Sequence, residues 1–363
     1  MSAQPSVADS PLLDVHGLSV VFDGSRRLYR GKTLTAVDDV SFELSPGTTL
    51  GIVGESGSGK TTVARTILGL QRASGGTVHF AGRDITSISR RPRRLLTREL
   101  QAVFQNPYGS LNPTRTVASI LYEPLRAHNL LDRSEGRARA VGVLERVGLG
   151  AEVLSRYPAE FSGGQLQRIA IARALMLYPR LVVCDEPVSA LDLSVQAQVL
   201  NLLRELQRDL GLSFLFIAHN LAVVRYVSRD LVVLYRGRVM EMGGAEEIYQ
   251  RPRHPYTRLL LESSPVADPV LQRERRRAGA GLEVAGPSDD APGCNFAPRC
   301  PFVAEACRKE RPELRPFGHT ARVACLLAEE IPPMPKAMGT SLVMDAAERV
   351  ASAARGANGS SRR

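Results

Sequence analysis

The sequence predicts an α/β fold with an inserted helical subdomain and a small cysteine-rich C-terminal extension. Three observations carry this expectation. TLGIVG from Thr49, LVVCDEP from Leu181 and SFLFIAH from Ser213 are continuous apolar runs, the pattern of parallel strands buried on both faces. Residues 115–177 show helical rather than alternating periodicity, and four of the five cysteines fall within 294–325.

Taken in order, residues 1–11 lack apolar periodicity and read as a disordered tail. Residues 12–262 form the large domain. Leu18, Val20 and Phe22 recur at every second position, as do Val40, Phe42 and Leu44, so both stretches are expected as strands. Val117, Ile120, Leu121 and Leu125 recur at helical spacing, and RSEGRARAVGVLERVGL and GGQLQRIAIARALMLYP supply two further amphipathic helices. The helical subdomain is therefore placed at about 107–178. LVVLYRGRVMEMG, with Arg236-Gly237 at its middle, reads as a hairpin. Over 263–338 proline, glycine and charge dominate, and an Arg-rich linker leads to the cysteines; 339–363 reads as a second disordered tail.

A chain of 363 residues with 44% hydrophobic residues can bury a large core. MSAQPSVADSPLLDVHG lacks a basic start followed by an apolar run, and no stretch approaches the roughly 20 apolar residues that span a bilayer, so the chain is expected to be neither secreted nor embedded. The net charge of +10 is almost all arginine, since lysine occurs only at Lys32, Lys60, Lys309 and Lys336. The arginines are spread along the chain, with small runs at 90–94 and 273–277, which favours a solvated surface over a nucleic-acid or membrane patch.

GESGSGKT, Gly54 to Thr61, fits the phosphate-loop pattern G-x-x-x-x-G-K-[ST] between an apolar strand and the helical TTVARTILGL. The glycines let backbone N–H groups approach phosphate oxygens, the helix N-terminus adds positive potential, Lys60 reaches the terminal phosphates and Thr61 can ligate Mg²⁺. Asp185 and Glu186 end an apolar run, at the strand end where an open α/β sheet binds nucleotide. Asp185 suits Mg²⁺, and Glu186 suits orienting and deprotonating the attacking water. Cys184 reads as a small buried hydrophobe.

FSGGQLQRIAIARAL from Phe161 resembles the signature motif of the ABC ATPases, a branch of the P-loop NTPases. The resemblance covers roughly 18–245 and includes, in family order, Gln105 in VFQNPYGSLNP, SALD at Ser189, Ala190, Leu191 and Asp192, and His219 in FIAHN. It implies ATP held by Gly54, Glu55, Ser56, Gly57, Ser58, Gly59, Lys60, Thr61 and Thr62, together with Gln105, Asp185 and His219. It also implies Mg²⁺ held by Thr61, Gln105 and Asp185, and hydrolysis by Glu186 with His219 and Gln105. Ser162, Gly163, Gly164 and Gln165 would serve the ATP of a second ATPase subunit, so that two chains sandwich two ATP molecules. An aromatic residue stacks on adenine in this family; Phe22 and Tyr29 both suit that place.

QNPYGSLNP, RHPYTRLLLESSP and GCNFAPRCPFVAEAC resemble the oligopeptide and dipeptide importers. This branch implies coupling of ATP hydrolysis to peptide uptake, two membrane-spanning permease subunits, an extracytoplasmic substrate-binding protein, and a peripheral place on the cytoplasmic face of the cell membrane. Importers of nickel or other small solutes share such extensions and form the alternative. A soluble ATPase acting on nucleic acid is the competing class, disfavoured by a single ATPase core with its cysteines after His219. Contact with the permeases is expected along 105–113, with Tyr108 and Leu111 named for coupling.

Cys294, Cys300, Cys307 and Cys325 are spaced C-x5-C-x6-C-x17-C. The absence of a secretory leader argues against disulfides. Four thiolates at wide spacing suit a [4Fe–4S] cluster, as in some importers that the segment resembles. Structural Zn²⁺, whose sites commonly use tighter pairs, is one rival, and four unligated thiols in a loop are the other.

Overall fold

The computed structural model describes residues 10–22, 33–263, 292–318 and 320–334. The expected tails, apart from residues 10 and 11, the linker arginines at 273–277 and Tyr29 lie outside the described residues.

Twelve strands form two sheets among the described residues. β1 (Leu13–Phe22), β2 (Leu34–Leu44), β4 (Gly75–Phe80) and β5 (Arg83–Asp84) make an antiparallel sheet in the order β2-β1-β4-β5. The larger sheet runs β11 (Arg315–Phe317), β12 (Ala321–Val323), β10 (Arg238–Gly244), β9 (Asp230–Tyr235), β3 (Thr49–Val53), β8 (Ser213–Ala218), β7 (Leu181–Asp185) and β6 (Leu100–Val103). The pairs β9/β3, β3/β8, β8/β7 and β7/β6 are parallel. The three continuous apolar runs are therefore three neighbouring strands, covered on both faces.

Strand alternation divides the core. Val182, Cys184, Phe214, Phe216, Leu231 and Val233 face the helices, whereas Val183, Leu215, Ile217, Val232 and Leu234 face the antiparallel sheet. Each fully buried side chain of this kind contributes about 1.5–3 kcal/mol, which makes the sheet the rigid frame of the site. The β9–β10 hairpin turns at Arg236 and Gly237, with φ of 45° and 75°, the left-handed pair that matches strand twist in a two-residue turn. Arg238 then donates to Asp38 at 2.8 Å and joins the two sheets.

Residues 107–175 carry helices and no strand, among them Val117–Ala127, Arg133–Arg146 and Gly163–Leu175. Each starts on a side-chain cap. Thr116 accepts from the Ser119 amide, and Asp132 from those of Ser134 and Glu135. Ser162 and Gln165 cap each other's backbone. No described helix is long and apolar enough to cross a membrane.

The C-terminal extension does not stand apart. Helix Pro255–Ser263 runs across the expected boundary at 262/263, and β12 pairs with β10 through Glu241–Val323 and Met242–Arg322. Without β12 the outer edge of β10 would present unpaired backbone groups. That pairing makes the extension part of the main sheet.

Candidate functional site

The phosphate loop leaves β3 and enters helix Lys60–Ile67 with no room for side chains on its inner turns. A Cβ at Gly54 would lie 2.1 Å from the Leu234 carbonyl oxygen, and one at Gly59, where φ is 103°, 2.5 Å from that of Ala36. Only glycine takes such a path. Lys60 is 4% exposed. Its ammonium donates to the carbonyls of Gly54 and Glu55 at 2.7 and 2.8 Å, so it lies folded inside the loop it serves. Burial lowers its pKa, opposed by the fields of Glu186, Asp185 and Glu55.

The ends of β7 and β8 complete the cleft. Asp185, the last residue of β7, accepts from the Thr61 hydroxyl at 3.1 Å. Burial raises the Asp185 pKa, and the Thr61 bond opposes the rise. Glu186 follows with φ of 50°, a backbone region that non-glycine residues seldom occupy. Its amide donates to the Ile217 carbonyl at 2.9 Å, which turns its side chain out over the strand ends. There one carboxylate oxygen accepts from Gln105 Nε2 at 3.0 Å, and the other stands 3.5 Å from His219 Nδ1. Residues from four separate strand ends thus converge on one carboxylate and one phosphate loop.

The hydroxyl of Thr61 and carboxylate of Asp185 suit a hard cation that keeps waters and phosphate oxygens as its other ligands. The glycine cradle, Lys60 and the helix N-terminus suit a polyphosphate. The site therefore fits Mg-ATP. Phe22 ends β1 opposite Leu34 and packs, partly buried, on the core of the antiparallel sheet.

Ser162, Gly163, Gly164 and Gln165 begin helix Gly163–Leu175 elsewhere. Among the described residues no hydrogen bond or ion pair joins them to Lys60, Asp185, Glu186 or His219. They pack on the SALD segment and the start of the helix after it instead. A Cβ at Gly163 would lie 3.5 Å from Leu191, and one at Gly164 2.4 Å from Val195. Asp192 caps the following helix, Leu193–Leu210, by accepting from the Val195 amide, while the Ser189 hydroxyl donates to the Glu186 carbonyl at 3.1 Å. Ala190 is exposed beside them.

Segment 106–113 splits in two. Tyr108 is 62% exposed and lines a groove of about 700 Å³ with Asn112, Glu123, His128 and Arg173. Leu111 is 2% exposed and belongs to the core, where it forms part of the floor of the same groove.

The cysteines share one place. Cys294, Cys300, Cys307 and Cys325 line a single enclosed, mostly apolar cavity with Phe296, Leu327 and Ile331. Burial pushes the thiols of Cys300 and Cys325 up to about 11, and neighbouring cysteines add to each shift. Among the described residues no group of three or more His, Cys, Asp or Glu side chains is arranged to hold a metal ion.

Two contacts to the phosphate loop were not foreseen. The Tyr256 hydroxyl accepts from the Glu55 amide at 2.7 Å, and Arg299 donates to both Glu55 carboxylate oxygens at 2.7 and 2.8 Å. RHPYTRLLL drew attention only as a resemblance; nothing in it pointed at Glu55.

Comparison with known proteins settles the family. A family model described as "ABC transporter" matches residues 37–189, and one described as "Oligopeptide/dipeptide transporter, C-terminal region" matches 240–307. The oligopeptide transport ATP-binding protein OppF of Salmonella typhimurium is 45% identical over 326 residues, 88% of this chain and 97% of OppF. The chain belongs to the ABC transporter ATPase family. Di/tripeptide transport ATP-binding protein DppF of Pseudomonas aeruginosa is likewise 45% identical, over 88% of this chain and 98% of its own. Among solved structures, CbiO1 from Clostridium perfringens, part of the ABC transporter complex CbiONQ, superposes with a TM-score of 0.58 at 26% identity. It covers 66% of this chain and 91% of its own. The dimeric bacterial ABC transporter cassette MJ0796 gives 0.57 at 25%, over 64% and 98%. The ABC ATPase core is thus established, and its enzymatic activity is ATP hydrolysis.

Proposed function

We propose that this ATPase is the ATP-hydrolysing subunit of a peptide importer of the cytoplasmic membrane. The observation that carries its chemistry is the convergence of Gln105 and His219 on the Glu186 carboxylate, beside the Thr61–Asp185 pair. Glu186 is held between two side chains that fix its direction, and takes the proton of the water attacking the γ-phosphate. Lys60 exchanges the loop carbonyls for phosphate oxygens, while the loop amides hold the phosphates. Mg²⁺, when bound at Thr61 and Asp185 with Gln105 nearby, neutralises charge developing on the phosphate oxygens. Glu55 acts through loop shape, since its amide and carboxylate are both engaged by the C-terminal segment.

Ser162 and the amides of Gly163 and Gly164 open a helix N-terminus away from the chain's own phosphate loop, and serve the ATP of a second such subunit. The groove around Tyr108 lies at the contact with the two permease subunits, which a substrate-binding protein supplies outside the membrane. Peptide cargo is favoured over nickel or other small solutes by the names of OppF and DppF and by the matching C-terminal region. Glu186→Gln tests the mechanism. Mg-ATP binding should persist while hydrolysis falls about 10²–10⁴-fold, and near-normal turnover would refute the assignment.

Cys294, Cys300, Cys307 and Cys325 would hold a [4Fe–4S] cluster, which uses one thiolate per iron. The four thiols line one cavity but are not arranged to hold a metal ion as they stand, so loading a cluster would require them to close in; burial makes free thiolates there costly without a cationic centre. The cluster would tie the segment around Cys294 to that around Cys325. Anaerobic purification should give brown protein with about four irons per chain; colourless protein with one zinc would overturn this reading.

A further inference from the structure

The cysteine segment reaches the ATP site through Arg299. This residue directly precedes Cys300, and its guanidinium forms a two-bonded pair with Glu55, the second residue of the phosphate loop. Its side chain is 17% exposed, against 36% for Glu55, so water screens this pair less than a surface pair. The guanidinium also lies 5.7 and 5.8 Å from the Phe296 and Tyr235 rings. Phe296 stands edge-on to Tyr235 at 5.3 Å and tilts against Tyr256 at 5.4 Å. Tyr256 in turn holds the Glu55 amide. One residue of the loop is therefore gripped at backbone and side chain by groups that rest on the same three aromatic rings. Cys294 and Cys300 flank Phe296 and Arg299 in sequence and line the neighbouring cavity.

We propose that Arg299 and Tyr256 are positioning residues for ATP, holding the phosphate loop in its ligand-ready shape so that the ordering of the cysteine segment sets the affinity for Mg-ATP. Preorganisation of this kind lowers the cost of ordering the loop on binding. It acts on affinity rather than on the hydrolytic step, because Glu186, Gln105 and His219 lie on other strand ends. The proposal rests on the reading that the Lys60–Thr61 loop binds ATP, and is independent of what fills the cysteine cavity.

The test compares steady-state hydrolysis of Mg-ATP by the full chain and its variants, with Kd for Mg-ATP measured by calorimetry. Arg299→Gln is expected to raise KM and Kd about tenfold, the loss of a charge-assisted pair at 1.4 kcal/mol per decade, with kcat unchanged. Tyr256→Phe, which keeps the ring and removes the acceptor, raises both by a smaller factor and carries the test if Arg299→Gln does not fold. Arg315→Gln breaks an exposed pair with Glu329 and a 3.3 Å bond to the Cys325 carbonyl in the same extension, does not touch Glu55, and raises KM less than Arg299→Gln. Cys300→Ser raises KM like Arg299→Gln, and the double variant raises it no further, the mark of a shared path. The proposal is overturned if Arg299→Gln and Tyr256→Phe both keep the native KM, if Arg315→Gln raises it equally, or if the Cys300 and Arg299 effects add. A native chain that neither binds nor hydrolyses Mg-ATP would instead refute the ATPase reading itself.

Discussion

Replacing His254 by asparagine should reveal a pH dependence of stability that the native chain conceals. Glu241 and His254 are both almost fully buried at the start of helix Pro255–Ser263. The Glu241 carboxylate accepts from the amides of Arg253 and His254 at 2.9 and 3.0 Å, and the His254 ring nitrogen Nδ1 accepts from that of Tyr256 at 3.0 Å. Burial pushes Glu241 up from 4.5 to about 7 and His254 down from 6.5 to about 3. Between pH 4.5 and 6.5 the folded chain keeps a proton on Glu241 that the unfolded chain has released, so rising pH costs stability. Over the same window the unfolded chain carries a proton on His254 that the folded chain excludes, so rising pH restores stability. The two slopes oppose each other and nearly cancel. In His254→Asn, where an amide oxygen can still accept from the Tyr256 amide, only the Glu241 slope survives. At 1.36 kcal/mol per pH unit it amounts to at most about 3 kcal/mol lost across the window. Urea unfolding of nucleotide-free protein at intervals from pH 4.5 to 7, as the difference between variant and native curves, isolates this change from other titrating groups. Equal slopes in the two proteins, or a variant that gains stability as pH rises, would refute the reasoning.

Other expectations follow from the same packing. Leu111→Ala should lose about 2–5 kcal/mol of stability in urea. Tyr108→Ala should stay within about 0.5 kcal/mol yet lower import per ATP hydrolysed in the reconstituted transporter; a parallel fall in both activities would contradict that division. Gly59→Ala forces a side chain against the Ala36 carbonyl and should abolish Mg-ATP binding by calorimetry with the far-ultraviolet circular dichroism retained. Ser162→Ala should reduce hydrolysis in the assembled transporter while the isolated chain binds ATP as before, and loss of binding by the isolated chain would defeat the two-chain reading. Cys184, fully buried with its thiol pKa raised by burial, should resist iodoacetamide until urea unfolds the chain.

Much of the frame was legible because its physics is local. β3, β7 and β8 lie between two covering layers, so every position is apolar and the runs stand out. The phosphate loop was legible because glycines, Lys60 and Thr61 sit within eight positions. Leu111 was not, since QNPYGSLNP has no periodicity from which to tell a core anchor from a polar loop. β11 and β12, with sequences RPF and ARV, are too short and too polar to announce themselves; they are strands because β10 offers them an edge. The Glu55–Arg299 pair joins positions 244 apart, and a chain with 47 basic and 37 acidic residues gives no local reason to match these two.

That separation also sets an order of events during synthesis. At about 5–20 residues per second, Arg299 is made roughly 12–50 s after Glu55. For that interval the nascent chain holds a phosphate loop without its grip and a β10 whose outer edge still awaits Ala321–Val323. A ribosome that stops in the linker releases a nucleotide-binding core with an open strand edge, a species suited to pairing with its own copies and to early capture by chaperones. The extension is thus made after the core whose finished shape depends on it.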